Sequence, residues 1–112
     1  MLGIKRKTSA VPSLEGIPFT EVAGNPPKKP LTVFALSTCG FCRRALAFLD
    51  DNGFAYSYVH MDKLPKEQQD TIRNFVKAKY RVSISFPFLC LGDDDFLTGF
   101  IKPSWVKELV DE

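Results

Sequence analysis

A chain of 112 residues has room for one domain of ordinary size. Hydrophobic residues make up 45% and charged residues 25% of it, which is the balance of a globular protein and excludes a disordered one. The net charge of +2 is too small to indicate nucleic-acid binding, and no apolar run approaches the roughly 20 residues that cross a bilayer. We therefore expect a cytoplasmic monomer with no nucleic-acid or membrane partner, whose three cysteines are reduced.

Residues 1–30 differ in composition from the rest of the chain. They hold five of the eight prolines and the basic run Lys5-Arg6-Lys7. Because proline removes backbone donors, we predict an N-terminal extension over 1–30 and not a packed layer, with a short extended piece near residues 17–22 on the domain surface. The extension is interpreted as a solvated leader or as a basic docking arm. The domain itself is predicted over 31–112.

From residue 31 onwards the hydrophobic pattern predicts the order βαβ, helix, ββ, helix. The predicted strands cover residues 31–36, 54–60, 86–91 and 96–98, and the predicted helices begin near residues 40, 65 and 103. Two strands joined by a helix pair in parallel through a right-handed crossover, and the last two strands form a hairpin around the turn Gly92-Asp93-Asp94-Asp95. The sequence therefore predicts an α/β domain with a four-stranded mixed sheet.

One motif carries chemistry, the cysteine pair in Cys39-Gly40-Phe41-Cys42. It lies between a buried strand and a helix, so Cys39 falls at the helix N-terminus, where free backbone N–H groups and the helix dipole favour a negative charge. Cys42 comes three positions later on the same helical face. We therefore predict a redox pair in which Cys39 attacks a disulfide and Cys42 resolves the intermediate.

Two other interpretations of this pair stay open on the residues alone. The cysteines could bind zinc together with Cys90 and His60, although these ligands lie far apart and form no second close pair. The pair could also be two inert helix cysteines. Its position between a strand and a helix favours the redox interpretation over both.

Residues 31–110 resemble the glutaredoxins, a family of thioredoxin-fold proteins. The resemblance rests on a buried strand that ends in Ser-Thr-Cys-Gly-Phe-Cys, on Ser85-Phe86-Pro87 downstream, and on a turn containing Gly99 before the last helix. It implies a thioredoxin fold with about three helices flanking the sheet, and the activity of a thiol–disulfide oxidoreductase that needs no cofactor or metal. It also implies that the bond before Pro87 is cis and that this proline faces the disulfide.

The same resemblance implies a substrate groove and two kinds of partner. The residues expected to line the groove are Thr38, Gly40, Phe41, Phe86, Pro87, Gly99 and Phe100. The partners are disulfide-containing proteins, or low-molecular-weight disulfides, and a reductant that restores the dithiol.

Two departures from the family weaken the expected glutathione pocket. Glutaredoxins usually carry Lys or Arg three residues before the first cysteine, where this chain has Leu36. They commonly carry an acid after a glycine pair, where this chain has Phe100-Ile101-Lys102. Residues 98–103 are instead similar to the glutaredoxin-like electron donors of ribonucleotide reductase, which take electrons from thioredoxin reductase. We therefore expect the reductant to be a thioredoxin reductase-like flavoprotein or a thiol other than glutathione.

The Gly40-Phe41 pair leaves an alternative function open. Glutaredoxins with Gly-Phe after the first cysteine often bind an iron–sulfur cluster and act as carriers or sensors, but many then have Ser where this chain has Cys42. The cluster recruits glutathione as a ligand in that family, so the weakened pocket argues against it. Cys90 is expected to fill the core, with a regulatory thiol as the alternative.

Overall fold

Five strands and three α-helices follow one another along residues 11–110, the part of the chain that the computed structural model describes. The strands are β1 (Thr20–Val22), β2 (Leu31–Ala35), β3 (Tyr56–His60), β4 (Phe88–Leu91) and β5 (Asp95–Thr98). The helices are α1 (Gly40–Asp51), α2 (Lys66–Tyr80) and α3 (Lys102–Trp105), with a 3-10 turn at Met61–Lys63 and a π-helical turn at Val106–Val110. None of these described helices is long and apolar enough to span a membrane.

The strands form one mixed sheet in the order β1-β3-β2-β4-β5. β2 and β3 run parallel, with Val33 opposite Tyr58, and α1 connects them. β4 pairs antiparallel with β2 on one side and with β5 on the other. The predicted βαβ unit is therefore confirmed, because α1 connects the parallel strands β2 and β3. The predicted hairpin is also confirmed, because a short turn connects the antiparallel strands β4 and β5.

The sheet has five strands, so the expectation of four strands is wrong by one edge strand. β1 pairs antiparallel with β3, with Glu21 opposite Ser57. The Ser57 hydroxyl donates a hydrogen bond to the Glu21 carboxylate at 2.7 Å. This strand has three residues and no alternating apolar pattern. Backbone pairing along the open edge of β3 holds it, and such pairing leaves no signal in hydrophobic periodicity.

Part of the predicted extension packs against the domain, within residues 11–30 that the structure describes. Ile17 is buried in the core layer that contains α2, and the ring centroid of Phe19 lies 5.9 Å from that of Phe34. The extended piece expected near residues 17–22 therefore lies on the domain, and Ile17 is buried there where a solvated leader was expected. The Lys5-Arg6-Lys7 run lies outside the described residues, and the division of the chain at residue 31 stays a prediction.

β2 separates two core layers because its side chains alternate between the two faces of the sheet. Leu31, Val33 and Ala35 pack on one face, in the layer that contains residues of α1 and α3. Phe34 packs on the opposite face with residues of α2. Helices cover both faces, which explains the nearly continuous apolar run in this strand.

Helix α1 begins after a cysteine and ends before a glycine. Cys39 is its N-cap, and Gly53, with a φ of 70°, follows the C-cap residue Asn52. The side chains that the helix buries form one stripe: Cys42, Ala45, Phe48 and Leu49. The helix therefore turns Cys42 into the core and leaves Cys39 at its rim.

Candidate active site

Four segments meet at the edge of the sheet where β2 ends. β2 and β3 run parallel, so Cys39, which follows β2, and Asp62, which follows β3, lie at the same edge. β4 is antiparallel to β2 and β5 is antiparallel to β4, so β4 begins at this edge and β5 ends there. The fold therefore brings three predicted site segments, residues 38–41, 86–87 and 99–100, to one edge.

The sulfur of Cys39 caps helix α1. The backbone at this residue is extended, with φ −94° and ψ 118°, and its Sγ accepts a hydrogen bond from the backbone N–H of Cys42 at 3.1 Å. The N–H of Cys39 itself donates to the carbonyl of Leu36 at 3.2 Å and closes the turn after β2. Cys39 is partly exposed. A partly exposed sulfur therefore lies at a helix N-terminus, where free backbone N–H groups and the helix dipole attract negative charge.

Cys42 has the opposite environment. Its side chain is 1% exposed and belongs to the core layer beneath α1. Burial raises the pKa of Cys42 to about 12, a hydrogen bond with Cys39 adds to the increase, and the charge of Arg43 works against it. Cys42 is therefore a thiol at neutral pH. The two cysteines of the motif therefore differ in solvent access.

Asp62 fixes the turn that carries Cys39, and sequence reasoning missed it. Its Oδ1 accepts a hydrogen bond from the backbone N–H of Ser37 at 2.8 Å, and its Oδ2 accepts one from the Ser37 hydroxyl. These two hydrogen bonds hold the pKa of Asp62 below its ordinary value. The available signal was topological, because a polar residue after β3 lies beside the end of its parallel neighbour β2.

Pro87 lies directly before β4 and Gly99 directly after β5, so both residues lie at this edge of the sheet. Pro87 is fully buried, and the Phe86–Pro87 peptide bond is cis. The carbonyl of Pro87 accepts a hydrogen bond from the N–H of Gly99 at 2.9 Å. Gly99 has a φ of 72°, and its carbonyl accepts a hydrogen bond from the Trp105 indole at 3.0 Å. The Phe100 ring lies edge-on to Trp105, with centroids 5.1 Å apart, so α3 is tied to the site.

The mouth of the site is formed by exposed residues on either side of Cys39. Thr38 and Gly40 are exposed, and Phe41 is 57% exposed. A Cβ placed on Gly40 would meet nothing closer than the Arg43 guanidinium at 4.0 Å, so the surface around Gly40 is uncrowded. The guanidinium carbon of Arg44 lies 5.2 Å from the centroid of the Phe41 ring. An exposed aromatic ring in contact with a cation therefore lies two residues after Cys39 in the chain.

The family model for glutaredoxins matches residues 31–92. The match covers more than half of the chain and includes the cysteine pair, β2, β3 and β4. The chain belongs to the glutaredoxin family. The resemblance drawn from the motifs is thereby confirmed.

Solved structures of glutaredoxins and of a methanoredoxin have the same fold as this chain. The glutaredoxin of Methanosarcina mazei Go1 superposes with a TM-score of 0.71 at 24% identity over 83% of this chain and 88% of that one, which confirms the predicted fold. Methanoredoxin of Methanosarcina acetivorans gives 0.68 at 27% identity over 79% and 90%. The glutaredoxin of Archaeoglobus fulgidus gives 0.63 at 26% identity over 76% and 89%. No curated protein sequence matches this chain significantly.

The third cysteine of this glutaredoxin is separated from the pair by the sheet. Cys90 packs in the layer with α2, whereas Cys42 packs in the layer with α1 and α3. The zinc site formed by both of these with Cys39 and His60 is therefore wrong, and residues 11–110 contain no group of three such ligands that could hold a metal. Burial raises the pKa of Cys90 to about 11, against an opposing hydrogen bond from Tyr80. Cys90 is a small apolar residue of the core.

Proposed function

We propose that this glutaredoxin reduces disulfides in proteins or small molecules with the Cys39–Cys42 dithiol. One observation carries the proposal: the partly exposed Cys39 caps α1 and accepts the N–H of a buried Cys42. Membership of the glutaredoxin family supports thiol oxidoreductase chemistry. The expectations of a monomer and of a cytoplasmic location stay predictions.

The reaction transfers two electrons and two protons to the substrate disulfide. The Cys39 thiolate attacks one substrate sulfur, forms a mixed disulfide and releases the other sulfur as a thiolate, which takes a proton. The Cys42 thiol then gives up its proton and attacks the sulfur of Cys39. This step breaks the mixed disulfide, releases the second substrate thiol and leaves the Cys39–Cys42 disulfide. The raised pKa of Cys42 keeps it out of the first step, so attack begins at Cys39.

The residues around the cysteines position the substrate in this proposal. We assign two segments to the substrate groove: Thr38, Gly40 and Phe41 around Cys39, and Gly99 with Phe100 after β5. Residues Phe86 and Pro87 precede β4 at the same edge, where the backbone of Phe86 can pair with an extended substrate segment.

Trapping the mixed disulfide tests the roles of the cysteines. Replacing Cys42 with Ser should leave the first attack intact and accumulate a covalent adduct with a disulfide peptide, visible by mass spectrometry. Cys39→Ser should form no adduct and reduce nothing, and Cys90→Ser should keep the wild-type rate. Adducts on Cys39→Ser would reverse the assigned roles. A brown protein with visible absorption after purification without oxygen would favour the iron–sulfur alternative.

For the reductant, we propose a thioredoxin reductase-like flavoprotein or a thiol other than glutathione. Leu36 stands where many relatives have a cation, and it packs against the core layer that contains α2. Phe100 stands where an acid is common, and its ring packs on Phe48 and Trp105. Each missing charge-assisted hydrogen bond costs on the order of 1.5–3 kcal/mol, or roughly ten- to a hundredfold in affinity.

Initial rates with alternative electron donors test the choice of reductant. The oxidised protein is reduced with glutathione, with other low-molecular-weight thiols, and with NADPH plus the reductase from the same source, at matched reducing capacity. We expect glutathione to be the slower donor. Fast, saturable reduction by glutathione with no response to the reductase would contradict this choice and leave the dithiol mechanism standing.

A further inference from the structure

A cavity of about 280 Å³ opens beside the proposed active site, between α1 and the segment that joins β5 to α3. It is lined by Arg44, Ala47, Phe48, Asp51, Phe100 and Lys102. Its aromatic wall is rigid, because Phe48 is buried and its ring packs against that of Phe100 with centroids 5.7 Å apart. The mechanism proposed above uses none of its charged residues.

The cavity carries more positive than negative charge. Arg44 and Lys102 are exposed, and neither forms an ion pair with any residue of the described range 11–110. Asp51 is the one carboxylate in the lining. It follows Arg44 by seven positions on α1, which is about 10 Å farther from the Cys39 end of the helix. Of the two charged residues that α1 contributes to the cavity, the cation Arg44 therefore lies nearer to Cys39 than the carboxylate Asp51 does.

The distance of Arg44 from Cys39 fits a substrate peptide that is already joined to Cys39 by a mixed disulfide. Arg44 lies five positions beyond Cys39, or about 7–8 Å along the helix axis. An extended peptide advances about 3.3 Å per residue, so its side chain two or three residues from the bonded cysteine reaches this distance. Between Cys39 and Arg44, the exposed Phe41 ring and the aromatic wall of the cavity offer apolar contact to such a peptide.

We propose that the cavity selects protein disulfides flanked by a carboxylate, with Asp or Glu two or three residues from the attacked cysteine held between Arg44 and Lys102. This inference rests on the proposed dithiol function and names its substrate class. Exposed ion pairs are individually weak, so two cations acting on one carboxylate should favour an acidic over a neutral substrate by about three- to tenfold. The preference should shrink as salt screens the charges.

Matched peptides test the inference on the full, pre-reduced protein. Three cyclic disulfide peptides differ only in the residue three positions from one cysteine, which is Glu, Gln or Lys, and single-turnover rates are measured against peptide concentration. We expect the second-order rate constant, which is the initial slope of rate against peptide concentration, to fall in the order Glu, Gln, Lys, mainly because the half-saturating concentration rises. The double variant Arg44→Gln with Lys102→Gln should reduce the Glu-to-Gln ratio to about one.

A second double variant, Lys77→Gln with Lys107→Gln, removes the same net charge away from the cavity and should keep the wild-type ratio. Equal rates on the Glu and Gln peptides in the wild type would overturn the inference. So would loss of the preference in the Lys77 and Lys107 variant, because the effect would then come from net charge. Failure of the wild type to reduce even the Gln peptide would instead contradict the proposed dithiol function.

Discussion

Cys42 should react with iodoacetamide far more slowly than an ordinary thiol in the folded, reduced protein. Burial, followed by the hydrogen bond with Cys39, raises the pKa of Cys42 to about 12, whereas a free cysteine titrates near about 8.5. At pH 8 a thiol with that raised pKa is ionised in roughly one molecule in 10⁴, against about one in four for a free cysteine. The alkylation rate of Cys42 should therefore be on the order of 10³-fold lower.

The assay is a time course of alkylation at pH 8, followed by peptide mapping and mass spectrometry. Cys39 should be labelled first, because its sulfur is partly exposed at the start of α1. Cys90 should be labelled slowly, since it is 7% exposed and burial raises its pKa to about 11. The same protein in denaturant is the control, and there all three cysteines should react at similar rates.

The variant Cys39→Ser separates the two causes of the raised pKa. Burial is the larger cause, so Cys42 should stay slow after the neighbouring sulfur is removed. Labelling of Cys42 within tenfold of Cys39 in the folded wild type would refute the assignment of attacking and resolving thiols, and with it the order of the two steps.

Three further predictions concern the surroundings of the pair. Asp62→Asn removes the carboxylate that accepts both hydrogen bonds from Ser37, so alkylation of Cys39 at pH 7 should slow about three- to tenfold. An unchanged rate would mean that the turn before Cys39 keeps its conformation without this carboxylate. Trp105→Phe removes the indole donor to the Gly99 carbonyl and should lower the free energy of unfolding by about 1–2 kcal/mol. This corresponds to a fall in Tm of roughly 4–10 °C, measured by circular dichroism. A fall under about 2 °C would count against a stabilising hydrogen bond between the indole and Gly99. The folded state keeps the proton of Cys90 above the pH at which the unfolded chain releases it, so the free energy of unfolding in urea should fall between about pH 9 and 11. Cys42 contributes to this slope in the same direction, so Cys90→Ala should reduce the slope without abolishing it.

The redox pair and most of the fold could be predicted because they depend on local sequence. The apolar run 31–36 predicts a strand with both faces covered. The position of Cys39 at the start of a helix predicts that its sulfur lies near free backbone N–H groups. Gly99 marks a turn because its left-handed backbone suits glycine. The signal for each of these features lies in neighbouring residues, so the features can be predicted without the tertiary structure.

The missed features depend on pairing between distant segments. β1 forms on the edge of β3, more than thirty residues away, through backbone groups that every residue possesses. Asp62 reaches Ser37 because two parallel strands end side by side, across a separation of 25 residues. A pattern of residue types does not encode such distances.

By itself, the sequence determined the resemblance to the glutaredoxins and the order of helices and strands from residue 31 onwards, because motif and periodicity are local properties. The attacking role of Cys39 and the resolving role of Cys42 stay predictions. Only the tertiary structure decided how differently the two thiols are solvated, which face of the sheet Cys90 occupies, and that Arg44 and Lys102 share one cavity. The physical reason is common to all three: burial, sheet face and charge neighbourhood are set by which distant segments pack together, and they in turn set pKa and ligand preference.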